Sequence, residues 1–463
     1  MASPSIPPLM PLERAGPKGY VRYLFPFPLA ENYNLDEVAR VLKDSLAATQ
    51  KRLPVLACEA VPDTEAKQAG VLRLQESEVG DIKVVDMRAP EAFPMTYQQL
   101  REKRFPLEAF EADVFCRRPV WPSPGDRLPI TAVQANFIQG GLILNWCIFH
   151  MIGDGKTFQK MLEIWAEECR RAQGLEITSP VHLPDELFDR SRVMQGSGRN
   201  KGRIEDHPEY VLLPFTPTGA PPKMLSPTHR ARVFYFSPAT LAQLKKDASP
   251  ANAKMPASDV PWISTNDALS ALLWRAVMAA QFPLDELEGN PTSVFNIAVD
   301  GRRRADPPLP EDTMGCFLEY VAPSMGIRTM LTEASLADIA VEIRRNVAKA
   351  NQNYTDDIVT LLDSIPDHNR LVPTAFLDVP GHNCVLTSWV NFDLYTIDWG
   401  HMFGGAVEAV RAPNVGIING CQVVLPAVPE SRGGGFELLV GVEESAIHRL
   451  EMDALWTKYA TMV

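Results

Sequence analysis

Residues 129–174 read "PITAVQANFIQGGLILNWCIFHMIGDGKTFQKMLEIWAEECRRAQG", the most regular stretch of the chain. Two apolar runs flank Gln139-Gly140-Gly141, the pattern of paired strands joined by a glycine turn. The second run stops at His150, and residues 156–174 then carry helical periodicity as far as Gly174, which suits a helix C-terminus. A chain that changes from strand to helix period in this way layers sheets against helices.

Upstream, "YVRYLFPFP" (20–28) reads as a strand. "NLDEVARVLKDSLAATQKRL" (34–53) reads as an amphipathic helix with Leu35, Val38, Val41, Leu42 and Leu46 on one face and Asn34 as its cap. Downstream, residues 175–230 hold eight prolines with little periodicity, as in "PFTPTGAPPKMLSPTHR", the composition of a long connection. Beyond it, strands are expected at 232–237, 292–300, 383–390, 416–427 and 436–444. Helices are expected at 264–282, capped by Ser264 or Thr265, and from about Ser445 to Ala460. The expected architecture is therefore a mixed α/β (α+β) fold in two halves, 1–180 and 231–463, with 181–230 crossing between them. Their interface is a natural place for a pocket.

With 463 residues, 46% hydrophobic and 22% charged, the chain has ordinary soluble-protein composition and more length than one core organises. A net charge of -12 argues against nucleic acid as a partner, because phosphate binding needs a clustered basic face. Short basic runs such as Arg302-Arg303-Arg304 read as solvated faces or ion-pair partners. Seven scattered cysteines without CxxC pairs fit reduced thiols in a cytoplasmic setting and offer no metal-site spacing. The N-terminal stretch lacks signal-peptide character, and no apolar run of about 18 residues predicts a membrane span. The sequon at Asn353 reads as a chance match, and the terminal "TMV" is no targeting address.

A histidine at the end of an apolar strand is either a core residue or a base facing a cleft. Gly153 and Gly155 favour the cleft, since a tight strand-to-helix turn needs backbone freedom. A neutral imidazole there can accept a proton near neutral pH. Asp154 has two readings: the orienting carboxylate of a hydrolase-like triad, or a brace that pairs with an arginine. No G-x-S-x-G elbow supports the triad.

The H-x-x-x-D-G pattern at His150 to Gly155 resembles the signature of BAHD-type acyl-CoA-dependent acyltransferases, and the likeness spans nearly the whole chain. "STNDALSALLWRAV" (264–277), "VDGRRRADPPLPEDTMGCF" (299–317) and "LTSWVNFDLYTIDWG" (386–400) resemble three further family segments in the same order, and "VEAVR" (407–411) a fourth. The variant motifs are nearest the fungal, trichothecene 3-O-acetyltransferase-like branch. The resemblance implies two similar chloramphenicol-acetyltransferase-like domains with a channel between them. It also implies acyl-CoA as co-substrate, with acetyl the default, a small-molecule acceptor, no metal, and a cytoplasmic monomer.

By the same resemblance His150 is the general base, and Asp154 points away to pair with an arginine, Arg302 being the best candidate. Thr387 and Trp389 lie near the reacting centre. Ser264, Thr265 and Arg302 fall at the coenzyme site, and Asp398 and Gly400 form a structural motif. Two positions depart from the family pattern: Cys316 stands for an amide residue, and His401 for an aromatic. Condensation domains that draw on a carrier protein share the H-x-x-x-D-G pattern but usually carry two adjacent histidines, whereas Phe149 precedes His150 here. A catalytically silent binding protein of the same fold is the other alternative, opposed by the intact histidine.

Overall fold

A computed structural model describes residues 6, 8–77, 81–217, 228–377, 381–414 and 421–463. In chain order the main elements of the first half are β1 (Tyr20–Pro28), α1 (Leu35–Arg52), β2 (Ile82–Asp86), β3 (Thr131–Ile138), β4 (Gly141–Phe149) and α2 (Gly155–Ala172). Its sheet runs β1-β4-β3-β2, antiparallel except for the parallel β2–β3 pair. Every residue of β3 and β4 is buried, which is why the sequence there is almost continuously apolar. Asn34 caps α1 by accepting from the Asp36 and Glu37 amides at 3.0 and 3.3 Å. Gly174 closes α2 with φ +77°, a conformation that costs other residues a Cβ clash.

The second half is built from β5 (His229–Phe236), α3 (Thr265–Gln281), β6 (Thr292–Asp300), β7 (Leu318–Val321), α4 (Leu336–Lys349), α5 (Gln352–Ser364), β8 (Cys384–Ser388), β9 (Cys421–Val424), β10 (Phe436–Glu443), α6 (Glu444–Met452) and β11 (Thr461–Met462). Its sheet runs β7-β6-β8-β9-β10-β5-β11, with β6–β8 and β8–β9 parallel. Ser293 and the strand face around Phe295 meet Trp274 of α3, whose indole N–H donates to Ser293 Oγ at 2.8 Å. Each half thus covers one sheet with helices; the larger apolar cluster runs from the first half across the interface to Val385, Trp389 and Val423, and a second lies between α3 and the sheet of the second half. No helix of the described residues is long and apolar enough to cross a membrane.

Four sequence expectations change. The connection at 175–230 is structured where described: Tyr210–Leu212 pairs with Leu371–Pro373, and His207 bonds Glu209 at 2.8 Å and Asp357 at 3.1 Å. Long-range partners order a segment whose own sequence has no period. The closing helix breaks at Asp453, which caps a second short turn by accepting from the Trp456 amide at 2.8 Å. The break lets Trp456 lie against Phe234 and Phe236, with ring centroids 5.1 and 5.5 Å away. Of the strand expected at 416–427, only β9 is seen, residues 416–420 lying outside the described residues. Finally, residues 398–411 of the second half cross onto the first. Leu24 and Arg411 exchange backbone hydrogen bonds of 2.8 and 3.0 Å, and Trp399 packs on Phe27 and Trp165.

One buried acid gives a pH-dependent stability. Glu319 on β7 is 0% exposed and accepts from Thr355 Oγ1 at 3.1 Å, and its Oε1 has no partner. Burial pushes its pKa from the ordinary 4.5 up to about 8. Between those values the unfolded chain has lost a proton that the folded chain keeps, so stability falls as pH rises through that window. Glu319→Gln keeps the hydrogen bond and never ionises. It is expected to raise stability by about 3 kcal/mol at pH 7, with a smaller gain at pH 5, measured by urea denaturation at both. An equal gain at the two pH values would overturn the assignment.

Candidate active site

The cavity that holds His150 lies between the halves and encloses about 480 Å³. The first half contributes β1, residues 120–121 and the β4–α2 turn. The second contributes the start of α3, the ends of β6 and β7, part of α4, and residues 385–392. His150 opens a short turn directly after β4, and its amide donates to the Gly19 carbonyl at 2.8 Å. Its ring meets Phe158 edge-on at 5.6 Å between centroids. Nδ1 is buried without a hydrogen-bond partner, and the residue lines the cavity. Burial pushes the imidazole pKa below its ordinary value despite the nearby Asp154 charge, so the ring is neutral at pH 7.

Asp154 faces away from that ring. Its carboxylate accepts from the Thr157 amide at 3.2 Å as the cap of α2, from the Phe317 amide at 2.9 Å, and from Arg302 Nη1 and Nη2 at 2.6 and 3.0 Å. With four acceptor contacts used, it makes no bond to the histidine, which is the geometry of the brace and not of the triad. Arg302 is 1% exposed, and its remaining hydrogen bonds go to Asp300, Thr313, Thr157 and Gly315. Every guanidinium nitrogen is committed inside the protein, and Phe317 stacks beneath it at 4.2 Å. That leaves it no donor to give an incoming phosphate, unlike the coenzyme role the resemblance implies.

The two glycines beside Asp154 serve a purpose different from the expected one. Neither Gly153 nor Gly155 has positive φ; Gly153 is extended at φ -174°. A Cβ at Gly155 would stand 2.0 Å from Cε2 of Phe392, and one at Gly153 would stand 2.7 Å from Thr157 Cγ2. Close approach requires glycine here. It lets the 391–392 loop of the second half close over the start of α2, where Lys156 Nζ donates to the Asn391 carbonyl at 3.0 Å.

Thr387 and Trp389 both line the cavity. Thr387 is half-buried on β8, and Trp389 is 8% exposed with its ring 5.2 Å from that of Tyr23. Ser264 lines the cavity as the cap of α3, held in a reciprocal box with Asp267; Thr265 does not line it. Asp398 and Gly400 stand away from it. Asp398 pairs with Arg170 at 3.1 Å and accepts from the Gly400 amide at 2.9 Å. Gly400 has φ +89°, and a Cβ there would press on Gln173, which clamps the segment through the Trp399 carbonyl at 2.7 Å. His401 is exposed and Cys316 fully buried, its amide 3.4 Å from Glu13 Oε1; neither lines the cavity.

Tyr23, Trp121, Arg304 and Arg344 also line the cavity, although the sequence marks none of them as a site residue and presents Arg304 as part of a solvated or ion-paired basic run. Arg344 lies on α4, whose amphipathic period was available to reveal the helix. Trp121 sits in an irregular stretch that carries no such signal.

The chain is similar to known proteins along most of its length. Residues 106–454 match the Transferase family, and residues 20–169 match a trichothecene 3-O-acetyltransferase-like N-terminal domain. Acyltransferase BOA11 of Botryotinia fuckeliana is 28% identical, the alignment covering 98% of this chain and 97% of that protein. Eremophilane O-acetyltransferase prx11 of Penicillium rubens is 26% identical, covering 97% of each. Among solved structures, F. graminearum TRI101 complexed with coenzyme A and deoxynivalenol superposes with a TM-score of 0.82 at 21% identity, covering 98% of this chain and 99% of the other.

Proposed function

The chain belongs to the Transferase family, and from that membership we propose an acyltransferase that moves an acyl group from acyl-CoA to a small-molecule hydroxyl or amine, with His150 as general base. Acetyl is the default group and a secondary metabolite the acceptor class, in keeping with the relatives' names. The observation that carries the reading is a neutral imidazole facing a cavity walled by both halves, with its neighbouring carboxylate fully engaged elsewhere.

Both substrates meet in one ternary complex. The neutral His150 accepts the acceptor's proton as its oxygen or nitrogen attacks the thioester carbonyl carbon. The Thr387 hydroxyl and the Trp389 indole N–H, both on the cavity wall, donate to the oxygen on which negative charge develops. Collapse of the tetrahedral species breaks the C–S bond, and the departing thiolate takes the proton back from the imidazolium. A thiolate leaves readily, so no acyl-enzyme is needed. Asp154 and Arg302 hold the histidine's turn in place, with no part in proton transfer.

The first half, 1–180, supplies the base and its brace. The second, 231–463, supplies the oxyanion donors, the Ser264–Thr265 helix start beside the coenzyme, and the Asp398–Gly400 clamp; 181–230 joins them. The six described free cysteines accord with a reducing cytoplasm, and two halves in one chain complete the cavity without a second copy.

The test is acceptor-dependent thiol release from acetyl-CoA across a panel of hydroxylated and amine-bearing small molecules, with the product weighed for one added acetyl group. Absence of acceptor-dependent release, or release with no acylated product, would overturn the proposal.

A further inference from the structure

Trp262 is 58% exposed, while the other seven tryptophans are buried or half-buried. A single exposed apolar ring is ordinary on a protein surface; what distinguishes this one is its setting. The ring is also held in place. The Arg344 guanidinium lies over it, 4.4 Å from the centroid, and Arg344 Nε donates to Asp267 Oδ2 at 2.7 Å. The same oxygen accepts from the Ser264 amide at 2.7 Å, so one carboxylate fixes both the helix start and the stacked pair. Ser264, Asp267 and Arg344 all line the cavity that contains His150, which places Trp262 at the rim beside them.

Cationic side chains gather on the same side. Arg304 lines the cavity with its Nε buried and unpartnered, and Arg344 stands a short way off. An aromatic face beside two guanidinium groups is complementary to a purine nucleotide. The purine stacks on the indole, and its phosphates meet the cations.

We propose that Trp262 is the stacking platform for the adenine ring of the acyl-CoA donor, holding the nucleotide end at the rim while the thioester reaches His150. The inference rests on the acyl-CoA reading of the cavity and adds a specificity-determining residue to it. Stacking needs only a π face, and the guanidinium covering one side of the indole leaves the other for the base. Ordering by Asp267 means the platform exists before the donor arrives, which lowers the entropy lost on binding.

The experiment compares acetyl-CoA with acetyl-pantetheine, which carries the same thioester without the nucleotide, in wild type, Trp262→Ala and Trp262→Phe. The kcat/KM advantage of acetyl-CoA over acetyl-pantetheine is expected to fall about tenfold in Trp262→Ala, through KM and not kcat, and to recover largely in Trp262→Phe. An unchanged advantage overturns the platform, whether both donors weaken together or neither does. Calorimetric binding of adenosine 3′,5′-bisphosphate reads the same contact without turnover. Its affinity is expected to drop about tenfold in Trp262→Ala, and equal affinity in the two proteins overturns the platform. Wild-type protein that binds this nucleotide but transfers no acetyl group would instead overturn the acyltransfer reading and leave the platform standing.

Discussion

His150→Ala is expected to lower kcat/KM for acyl transfer by about 10²–10⁴-fold, the range typical of losing a positioned general base. The residual rate comes from binding both substrates side by side and from the oxyanion donors, neither of which the substitution touches. The main-chain bond from residue 150 to the Gly19 carbonyl, 2.8 Å long, does not depend on the side chain, so the turn is expected to persist. His150→Gln, closer in size, separates lost basicity from a lost contact with Phe158, and is expected to be nearly as slow as the alanine variant. Burial depresses the imidazole pKa. Because the neutral form is the active one, rate is expected to stay level downward through pH 6.5 and to fall only as the ring protonates below that value. A variant lacking the imidazole that turns over at the wild-type rate would end the assignment.

Asp154→Ala is expected to destabilise the fold by about 3–5 kcal/mol, the cost of leaving a buried cation without its counter-charge. The geometry explains the size. Arg302 is 1% exposed and loses a bidentate partner, the Phe317 amide loses its acceptor, and α2 loses its cap at Thr157. Asp300, 3.0 Å from Arg302 Nη1, compensates part of the charge and pulls the expected loss toward the lower end of that range. Activity falls with stability, because the same contacts set the turn that carries His150. Chemical denaturation with the two transition slopes compared is the measurement. An inactive Asp154→Ala protein that unfolds at the wild-type midpoint would show that the carboxylate serves the chemistry directly.

The local half of this molecule was written plainly in the chain. The β3–β4 hairpin, the helix after His150, the Asn34 and Ser264 caps and the glycine stop at Gly174 follow from period, propensity and turn chemistry, which act over a few residues. Other features rest on distant partners. Asn351 and Asp453 are local caps that mark α5 and the break in the closing helix, but the ordering of the 175–217 connection and the seating of Trp456 depend on residues far away in sequence: Asp357 for His207, Phe234 for Trp456.

The site divides in the same way. The order of residues along the chain already picks out those able to do chemistry: a histidine at a strand end, a carboxylate four positions on, and segments that resemble one family in order. Their roles come from packing, because a side chain's role depends on which of its donors and acceptors remain unspent. Arg302 bears the charge a coenzyme phosphate would seek, yet folding commits each of its nitrogens to Asp154, Asp300 and neighbouring carbonyl and hydroxyl oxygens. Gly155, which the sequence presents as a flexible turn residue, turns out to make room for Phe392 from the other half of the chain. Hydrogen-bond valence and excluded volume are settled by packing between distant segments, and no short stretch of sequence contains both partners.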